Sequence, residues 1–317
     1  MTQQLNTRIF IVSDTHGDQL QHTNLAEPVD VAIHCGDLTE ESKLDEFKAA
    51  LVLLKALPAA LKLVIAGNHD FTLDTPLFQK KISSAQPPLD PALVRREFGD
   101  YDEALDLLQS AKAAGVIFLD EGSHHFDLAN GARLKVYASP CTASAGEGGF
   151  QYHPKEDHVW NIDSDTDVVI THGPPQGLFD RVDGKRVGSA SLFAAVARAK
   201  PQLHCFGHIH ESWGAKMVTW REEIGDSPSH FTSIDNDRSH VVEDYSGIHR
   251  RKFDSPEMIH EKAGRLRTYQ ANGCCVYDQP PTAGTQTLFV NAAIEGTEDE
   301  VQQPPWVVTI GLPLTSA

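Results

Sequence analysis

The chain has 317 residues, of which 40% are hydrophobic and 22% charged, and its 27 Lys and Arg against 44 Asp and Glu give a formal net charge of −17. This composition is that of an ordinary globular protein, which excludes the fibrous, wholly disordered and disulfide-scaffold classes. The negative charge also disfavours duplex nucleic acid as a partner, because the field of the protein repels a polyanion.

The apolar runs and the cysteines set expectations about the compartment. No apolar run approaches the roughly 18 residues that a membrane span needs, so we expect no membrane partner. The N-terminal residues show no export signal. The five cysteines form an odd number without metal-site spacing, which is typical of free thiols in a reducing compartment. Together these features predict a cytoplasmic location.

In chain order, short apolar runs that are each followed by polar residues and glycine predict buried strands. They lie at 8–13, 31–35, 61–65, 168–171 and 203–206. Helical patterns lie between them at 44–57, 101–114 and 189–199, and Ser189 is a candidate N-cap for the last one. Strand alternating with helix predicts an α/β fold with a largely parallel sheet covered on both faces.

The remaining elements complete a single predicted domain over residues 1–317. Asn130-Gly131 favours a hairpin between strands at 126–128 and 134–138, and late strands follow at 287–291 and 306–312. Between them, the segment at about 221–284 mixes charges with Ser, Asn, Gly and Pro and has no sustained apolar periodicity. We therefore expect a polar surface insertion, partly disordered, that could act as a lid or a partner surface.

Candidate metal ligands follow each of the first five predicted strands. They are Asp14 and His16, Asp37, Asn68 with His69 and Asp70, His172, and His208 with His210. Loops at the carboxyl ends of strands in α/β sheets meet in one crevice, so these distant residues can form one site. The pairs Asp14/His16 and His208/His210 are spaced so that both members share a face of an extended segment.

These D-x-H, G-D, G-N-H-D and G-H-x-H blocks resemble those of the calcineurin-like metallophosphoesterase superfamily. The run from Thr171 to Pro175 and the terminal Phe289 to Ala292 are most similar to its metallophosphoesterase-domain-containing (239AB-type) branch. The resemblance covers roughly residues 8–220 and 286–317. It implies a two-sheet sandwich flanked by helices, a four-layer α/β/β/α fold.

The resemblance also implies a binuclear centre. One ion would be held by Asp14, His16, Asp37 and His210, and the second by Asp37, Asn68, His172 and His208. These donors suit two divalent transition metal ions, namely Mn, Fe, Zn, Co or Ni. Two such ions bring a charge of +4 against −2 from the two aspartates, and they can activate a hydroxide for attack on phosphorus. His69 would act as general acid, with Asp70 fixing its tautomer.

The expected reaction is hydrolysis of phosphodiester bonds in small nucleotides, with cyclic nucleotides implied by the resemblance. Arg181, and with it Lys185 and Arg186, could bind the substrate phosphate. His124 and His125, and likewise His153 and His158, could reach the rim of the site, but no role is assigned to either pair. The alternatives are a phosphomonoesterase, a catalytically weak nucleotide-binding or scaffold protein, and a nuclease, which the negative charge disfavours. The sequence does not predict the oligomeric state.

Overall fold

The first strand, β1 (Gln4–Val12), shows how the layers of this fold arise from the sequence. Ile9 and Ile11 belong to one buried apolar cluster, and Phe10 and Val12 belong to another. Successive side chains of a strand point to opposite faces, so a run that is apolar at every position must be covered on both sides.

The computed structural model describes residues 4–21, 25, 27–296 and 302–315. Strands account for much of this part of the chain. They are β1, β2 (Val31–His34), β3 (Leu61–Val64), β4 (Val116–Phe118), β5 (Gly122–Asp127), β6 (Arg133–Ser139), β7 (Thr142–Ala143), β8 (Gln151–Tyr152), β9 (Val168–Thr171), β10 (Arg181–Val182), β11 (Lys185–Arg186), β12 (Leu203–Phe206), β13 (Gly214–Trp220), β14 (Ile234–Asp244), β15 (Cys275–Tyr277), β16 (Gln286–Asn291) and β17 (Trp306–Pro313).

Helices connect many of these strands. They are α1 (Leu44–Ala56), α2 (Thr75–Ser84), α3 (Pro91–Phe98), α4 (Glu103–Ser110), α5 (Ala190–Ala199), α6 (Tyr245–Ile248) and α7 (Pro256–Asn272). Short 3₁₀ turns lie at Phe71–Leu73, Ala111–Ala114 and His210–Ser212. Within the described ranges, no helix is long and apolar enough to cross a membrane.

Two large sheets form the centre of the fold. The first has the order β15-β17-β1-β2-β3-β4, with β1 to β4 parallel and β17 antiparallel to β1. The second has the order β14-β13-β16-β12-β9-β6-β5, with β16, β12, β9 and β6 parallel and antiparallel strands at both edges.

Three buried clusters separate four layers. The largest cluster lies between the two sheets and contains Ile9 from one and Val136 from the other. A second cluster packs the outer face of the first sheet against α1, through Phe47 and Leu51. The third packs the outer face of the second sheet against α5, through residues such as Phe193. The predicted α/β/β/α arrangement is therefore confirmed.

Most of the predicted elements are present with shifted ends. The hairpin around Asn130-Gly131 is longer than expected, since β5 and β6 pair in register from Gly122 to Asp127. The predicted helix at 101–114 is α4 followed by a 3₁₀ turn. Ser189 caps α5 as predicted, its hydroxyl accepting a hydrogen bond from the backbone N–H of Leu192 at 3.1 Å. Before residue 221, the sequence analysis missed α2, α3, β4, β13 and the short strands β7, β8, β10 and β11.

The largest correction concerns residues 221–284, which are not an irregular surface insertion. Strand β14 pairs with β13 at the edge of the second sheet, and β15 pairs with β17 at the edge of the first. Helices α6 and α7 lie between these two strands. Polar contacts hold α7 in place: Lys262 is buried and its ammonium lies 2.6 Å from Asp254. The expectation of disorder was wrong because it considered only the apolar surface of the segment and not its polar contacts. The single-domain boundary also includes residues outside the described ranges and stays a prediction.

Candidate metal centre

The predicted ligands come together where the carboxyl ends of β1, β2, β3, β9 and β12 meet. They form two neighbouring groups: Asp14, His16 and His210 in one, and Asp37, His172 and His208 in the other. In each group, one donor atom per residue lies within 4.8 Å of the others. Groups from both sheets thus converge on one crevice, as expected for strands that end at a common edge.

In the first group, Asp14 is buried and serves as the anchor. Its Oδ1 lies 3.3 Å from Nε2 of His210, and both of its oxygens accept the backbone N–H of His208 at 3.0 Å. Burial raises the pKa of Asp14, but the hydrogen bond and the charge of His210 outweigh burial and hold the pKa well below its ordinary value. Asp14 is therefore ionised and suited to bind a cation.

In the second group, His172 is fully buried and fixed at both ring nitrogens. Its Nδ1 lies 2.9 Å from the carbonyl oxygen of Cys35, while Nε2 lies 3.1 Å from Oδ2 of Asp37 and 3.0 Å from Oδ1 of Asn68. A histidine whose Nδ1–H is held by a carbonyl presents Nε2 to the site, which is the usual support of a metal-binding imidazole.

Asp37 lies between the two groups. Its Oδ2 is 3.1 Å from His172 and 4.0 Å from Nε2 of His16, and its Oδ1 accepts the backbone N–H of His69 at 2.7 Å. Burial raises the pKa of Asp37, yet the charge and hydrogen bond of His172, with the charge of His16, together hold it below its ordinary value. Asp37 thus lies within 4.0 Å of a histidine of each group, and its bridging role stays a prediction.

Several of the predicted ligands also have an uncommon backbone conformation. Asp14, His16, Asp37 and His208 all have positive φ, between 46° and 70°. Asp and His tolerate this left-handed region better than most residues, but it remains uncommon and its concentration at one crevice points to a function. At Gly207, a Cβ atom would lie 2.0 Å from Oδ2 of Asp14, so only glycine allows this close approach.

The surroundings of the His16 ring show whether these residues fit a metal ion. Both of its ring nitrogens are buried without a hydrogen bond of acceptable direction. Carboxylate oxygens of Glu40 and Glu295 lie 2.7 and 3.1 Å from these nitrogens, but the directions are wrong for hydrogen bonds. Buried polar groups almost always find partners. Imidazole nitrogens without hydrogen bonds beside carboxylate oxygens fit a divalent transition metal ion.

Comparison with known proteins shows which family this chain belongs to. The family model described as calcineurin-like phosphoesterase matches residues 7–212, which contain all seven predicted ligands. The chain belongs to the calcineurin-like phosphoesterase family.

Curated relatives agree with this membership. The chain is 33% identical over 220 residues to metallophosphoesterase domain-containing protein 1 of Homo sapiens, covering 66% of this chain and 62% of that protein. It is 31% identical over 219 residues to a UPF0046 protein of Caenorhabditis elegans, covering 66% and 52%. It is also 34% identical over 215 residues to a probable rhamnogalacturonate lyase C of Emericella nidulans, covering 67% of this chain and 18% of that protein. The chain thus spans less than two thirds of each of these relatives. The predicted superfamily and branch are confirmed.

The general acid predicted for this calcineurin-like phosphoesterase, His69, lies at the mouth of the centre. Its ring centroid is 4.7 Å from that of His16, and its Nδ1 lies 2.7 Å from the carbonyl oxygen of Glu40. Partial burial lowers the pKa of His69, but the charge of Asp37, the contact with the Glu40 carbonyl and the charges of Glu40 and Asp70 together raise it above its ordinary value. The direction of this shift favours the protonated form, which a general acid needs.

Asp70 does not have the contact that the sequence analysis gave it. Its carboxylate accepts hydrogen bonds from the backbone N–H groups of Leu38, Thr39 and Gly67 and from the Thr39 hydroxyl. Burial and the charge of Asp37 raise its pKa to about 6. Because Glu40 holds the Nδ1 of His69, the prediction that Asp70 fixes the tautomer of His69 was wrong. Asp70 instead holds the Asp37 and Asn68 loops together.

The sequence analysis missed Glu40 and Glu295. Glu40 follows Asp37 by three residues in the same loop, and Glu295 follows β16, with its carboxylate 3.3 Å from Nδ1 of His210. Glu40 could have been found from the sequence, because it lies in the loop after β2 that also carries the predicted ligand Asp37. No signal marked Glu295, one of 44 acidic residues in the chain.

The predicted substrate-binding residue Arg181 lies on the β10–β11 hairpin. Its guanidinium donates to the carbonyl of Gly184 across the turn, and its side chain is exposed. A cavity of about 560 Å³ lies beside His208, lined by Arg186 and by Tyr152 and Trp160. Arg181 is not among the described residues that line this cavity, so Arg186 is the better placed cation.

Proposed function

We propose that this chain hydrolyses phosphodiester bonds of small nucleotides, including cyclic nucleotides, with two divalent transition metal ions bound at the two residue groups. The observation that carries the proposal is the position of Asp37, which is within 4.0 Å of His16 in one group and 3.1 Å from His172 in the other. A carboxylate shared in this way suits two adjacent cations.

The electrostatics of the centre differ from the simple count made from the sequence. That count set two cations against Asp14 and Asp37 only. Glu40 and Glu295 also approach His16, and their charges would cancel the remaining surplus. The proposed selectivity for phosphate therefore rests on direct coordination of phosphoryl oxygens more than on net charge.

The roles of the residues follow from their positions. Bound divalent ions supply electrophilic stabilisation of the phosphoryl group and generate the nucleophile from water. His69 is the proposed general acid: the Glu40 carbonyl holds its Nδ1, so Nε2 is the atom that delivers a proton to the leaving oxygen. Asp70 positions the backbone around Asp37 and takes no part in proton transfer.

The cavity beside His208 supports a nucleotide substrate. Its volume of about 560 Å³ lies within the range of small-molecule sites, roughly 300–1,000 Å³. Tyr152 and Trp160 offer aromatic surface to a base, and Arg186 offers a cation to a phosphate. Arg186 is itself fixed by buried Asp180 at 2.7 Å.

The test compares substrates on metal-loaded protein. A chromogenic phosphodiester and the matching monoester are assayed first, followed by 2′,3′- and 3′,5′-cyclic nucleotides, with metal content measured on the same samples. We expect the diester and at least one cyclic nucleotide to be hydrolysed faster than the monoester. Faster hydrolysis of the monoester would instead indicate a phosphomonoesterase, and two bound ions without turnover would indicate a nucleotide-binding or scaffold protein. The cytoplasmic location, and the exclusion of duplex nucleic acid and membranes as partners, stay predictions.

A further inference from the structure

A second cluster of metal-ligating side chains lies outside the binuclear centre and shares no residue with it. Glu121 precedes β5, Cys141 follows β6, and His158 lies in the segment between β8 and β9. Nε2 of His158 is 2.6 Å from Oε1 of Glu121, and Sγ of Cys141 is 3.7 Å from Oε2 of the same carboxylate. One donor atom from each of the three lies within 4.8 Å of the other two.

These distances suit one small cation. Zinc binds sulfur at about 2.3 Å, nitrogen at about 2.0–2.1 Å and oxygen at about 2.0–2.2 Å, so tetrahedral ligand atoms lie roughly 3.3–3.6 Å from one another. The distance of 3.7 Å between Sγ of Cys141 and Oε2 of Glu121 is close to this spacing. The distance of 2.6 Å between Nε2 of His158 and Oε1 of Glu121 is that of a hydrogen bond, so an ion between them would move these two atoms roughly 0.7 Å further apart.

The surroundings hold these donors in position. The hydroxyl of Tyr137 lies 3.0 Å from Oε1 of Glu121. The ring of His158 stacks on Tyr152 with centroids 5.4 Å apart and meets the edge of Trp160 at 4.5 Å. Metal sites rely on this kind of outer contact to orient their ligands.

The thiol is unsuited to act as a nucleophile without a cation. Burial, followed by the charge of Glu121, raises the pKa of Cys141 to about 11, which keeps the thiol protonated at neutral pH. A cation reverses this preference, because a coordinating thiol loses its proton. The combination of sulfur, imidazole and carboxylate favours zinc-like ions over calcium or magnesium.

We propose that Glu121, Cys141 and His158 form a third cation site, which takes zinc or a similar soft divalent ion. Cys141 lines the 560 Å³ cavity, as do Tyr152 and Trp160, so the ion lies in the wall of that cavity. The fourth ligand position is open to water or to a ligand in the cavity. Binding releases the thiol proton, and any proton on Nε2 of His158, to solvent.

Cobalt titration tests this site independently of any activity. Co²⁺ bound to a thiolate gives a near-ultraviolet charge-transfer band, and none of the seven binuclear ligands carries sulfur. We expect the band to rise to one equivalent of thiolate-bound cobalt per chain in metal-free wild-type protein. It should be lost in Cys141→Ser and require at least about tenfold more cobalt in His158→Gln and Glu121→Gln.

Two controls separate this site from its neighbours. Cys274→Ser removes a buried thiol elsewhere in the fold and should leave the band intact. His16→Ala alters the binuclear centre and should also leave the band intact, so failure of the proposed phosphodiesterase function does not affect this readout. No band at saturating cobalt in the wild type, or an unchanged band in Cys141→Ser, would show that Glu121, Cys141 and His158 are only a hydrogen-bonded cluster.

Discussion

The packing beneath helix α7 and the metal centre both bury charged side chains, but they compensate the charges differently. Under α7, the carboxylate of Glu243 lies 3.1 Å from the guanidinium of Arg265 and accepts the hydroxyl of Tyr269 at 2.9 Å. At the metal centre, His16 has buried ring nitrogens without well-directed hydrogen bonds, and Asp37 lies between two histidines.

The difference separates structure from function. Burying a charge is costly unless a partner is buried with it. The α7 region supplies its own partners, so its charged groups contribute to the stability of the fold. The metal centre leaves part of its donor capacity unused, and this surplus is what a bound cation would satisfy. Removing a carboxylate should therefore affect stability in one region and activity in the other.

The largest effect is expected for Asp37→Asn. The amide preserves the shape of the side chain and can still accept the His69 N–H, but it removes the charge shared by the two residue groups. We expect loss of at least one bound metal ion and a fall in kcat/KM of about 10³-fold, since metal ions supply several kcal/mol of transition-state stabilisation. Elemental analysis and a phosphodiester assay measure these two quantities.

Asp45→Asn is the matched control for that substitution. Asp45 lies in the first turn of α1 with its side chain 90% exposed. It should retain the metal content and kcat/KM of the wild type. Full metal content and full activity in Asp37→Asn would show that the two residue groups do not share this carboxylate.

His69→Ala is expected to have the next largest effect, and it separates chemistry from metal binding. Loss of a general acid lowers kcat by about 10²-fold or more, while the metal content should stay unchanged because His69 belongs to neither of the two predicted ligand sets. The loss should be smaller for substrates with better leaving groups, which need less protonation. His125→Ala, an exposed histidine on β5, is the control. A proportional loss of metal and rate would assign His69 to metal binding instead.

Glu243→Ala tests the α7 region, where buried charges have protein partners. It removes the partner of Arg265 and Tyr269, and it should destabilise the fold by about 2 kcal/mol, less than for a fully buried pair because Arg265 is partly exposed. Urea unfolding measures this change. Metal content and kcat/KM of the folded Glu243→Ala protein should equal those of the wild type. Glu243→Gln should lose less stability than Glu243→Ala, because its amide oxygen still accepts the hydroxyl of Tyr269. A folded Glu243→Ala protein that loses its metals would contradict the separation.

The sequence predicted the metal centre better than it predicted the α7 region, and the reason is physical. Asp14, His16 and their partners occupy strand ends, and strand ends can be recognised locally from short apolar runs. The loops that follow parallel strands must then meet. Asp37 and His172 could be joined in this way although 134 intervening residues separate them.

The α7 region has no such local signal. Its docking depends on Glu243, Arg265 and Lys262 finding partners across the fold, and charged residues at irregular spacing are equally typical of a solvated loop. The contact of His69 with Glu40 was missed for a related reason: Asp70 is adjacent in sequence, but its carboxylate accepts backbone N–H groups of Leu38, Thr39 and Gly67 instead. Adjacency in the chain does not determine which side chains meet.

Asp167 offers the finest test of how the fold compensates a buried charge, and it should show the smallest effect. It lies just before β9, where its carboxylate accepts the backbone N–H of Lys135 at 2.9 Å, and burial raises its pKa to about 6 from 3.8. The folded state therefore prefers the protonated form: this contribution to stability is fully present below about pH 4 and is lost as the pH rises through 6. Asp167→Asn keeps an acceptor for the N–H of Lys135 but removes the charge. The variant should therefore be more stable than the wild type by about 1–2 kcal/mol at pH 7.5, a value reduced because Asp167 is partly exposed. Below pH 4 the two proteins should be equally stable. Urea unfolding at both pH values measures the difference. A stability difference that is the same at both pH values would mean that the carboxylate is as well compensated as Glu243, and the contrast between paired and unpaired buried charges would then be limited to the metal centre.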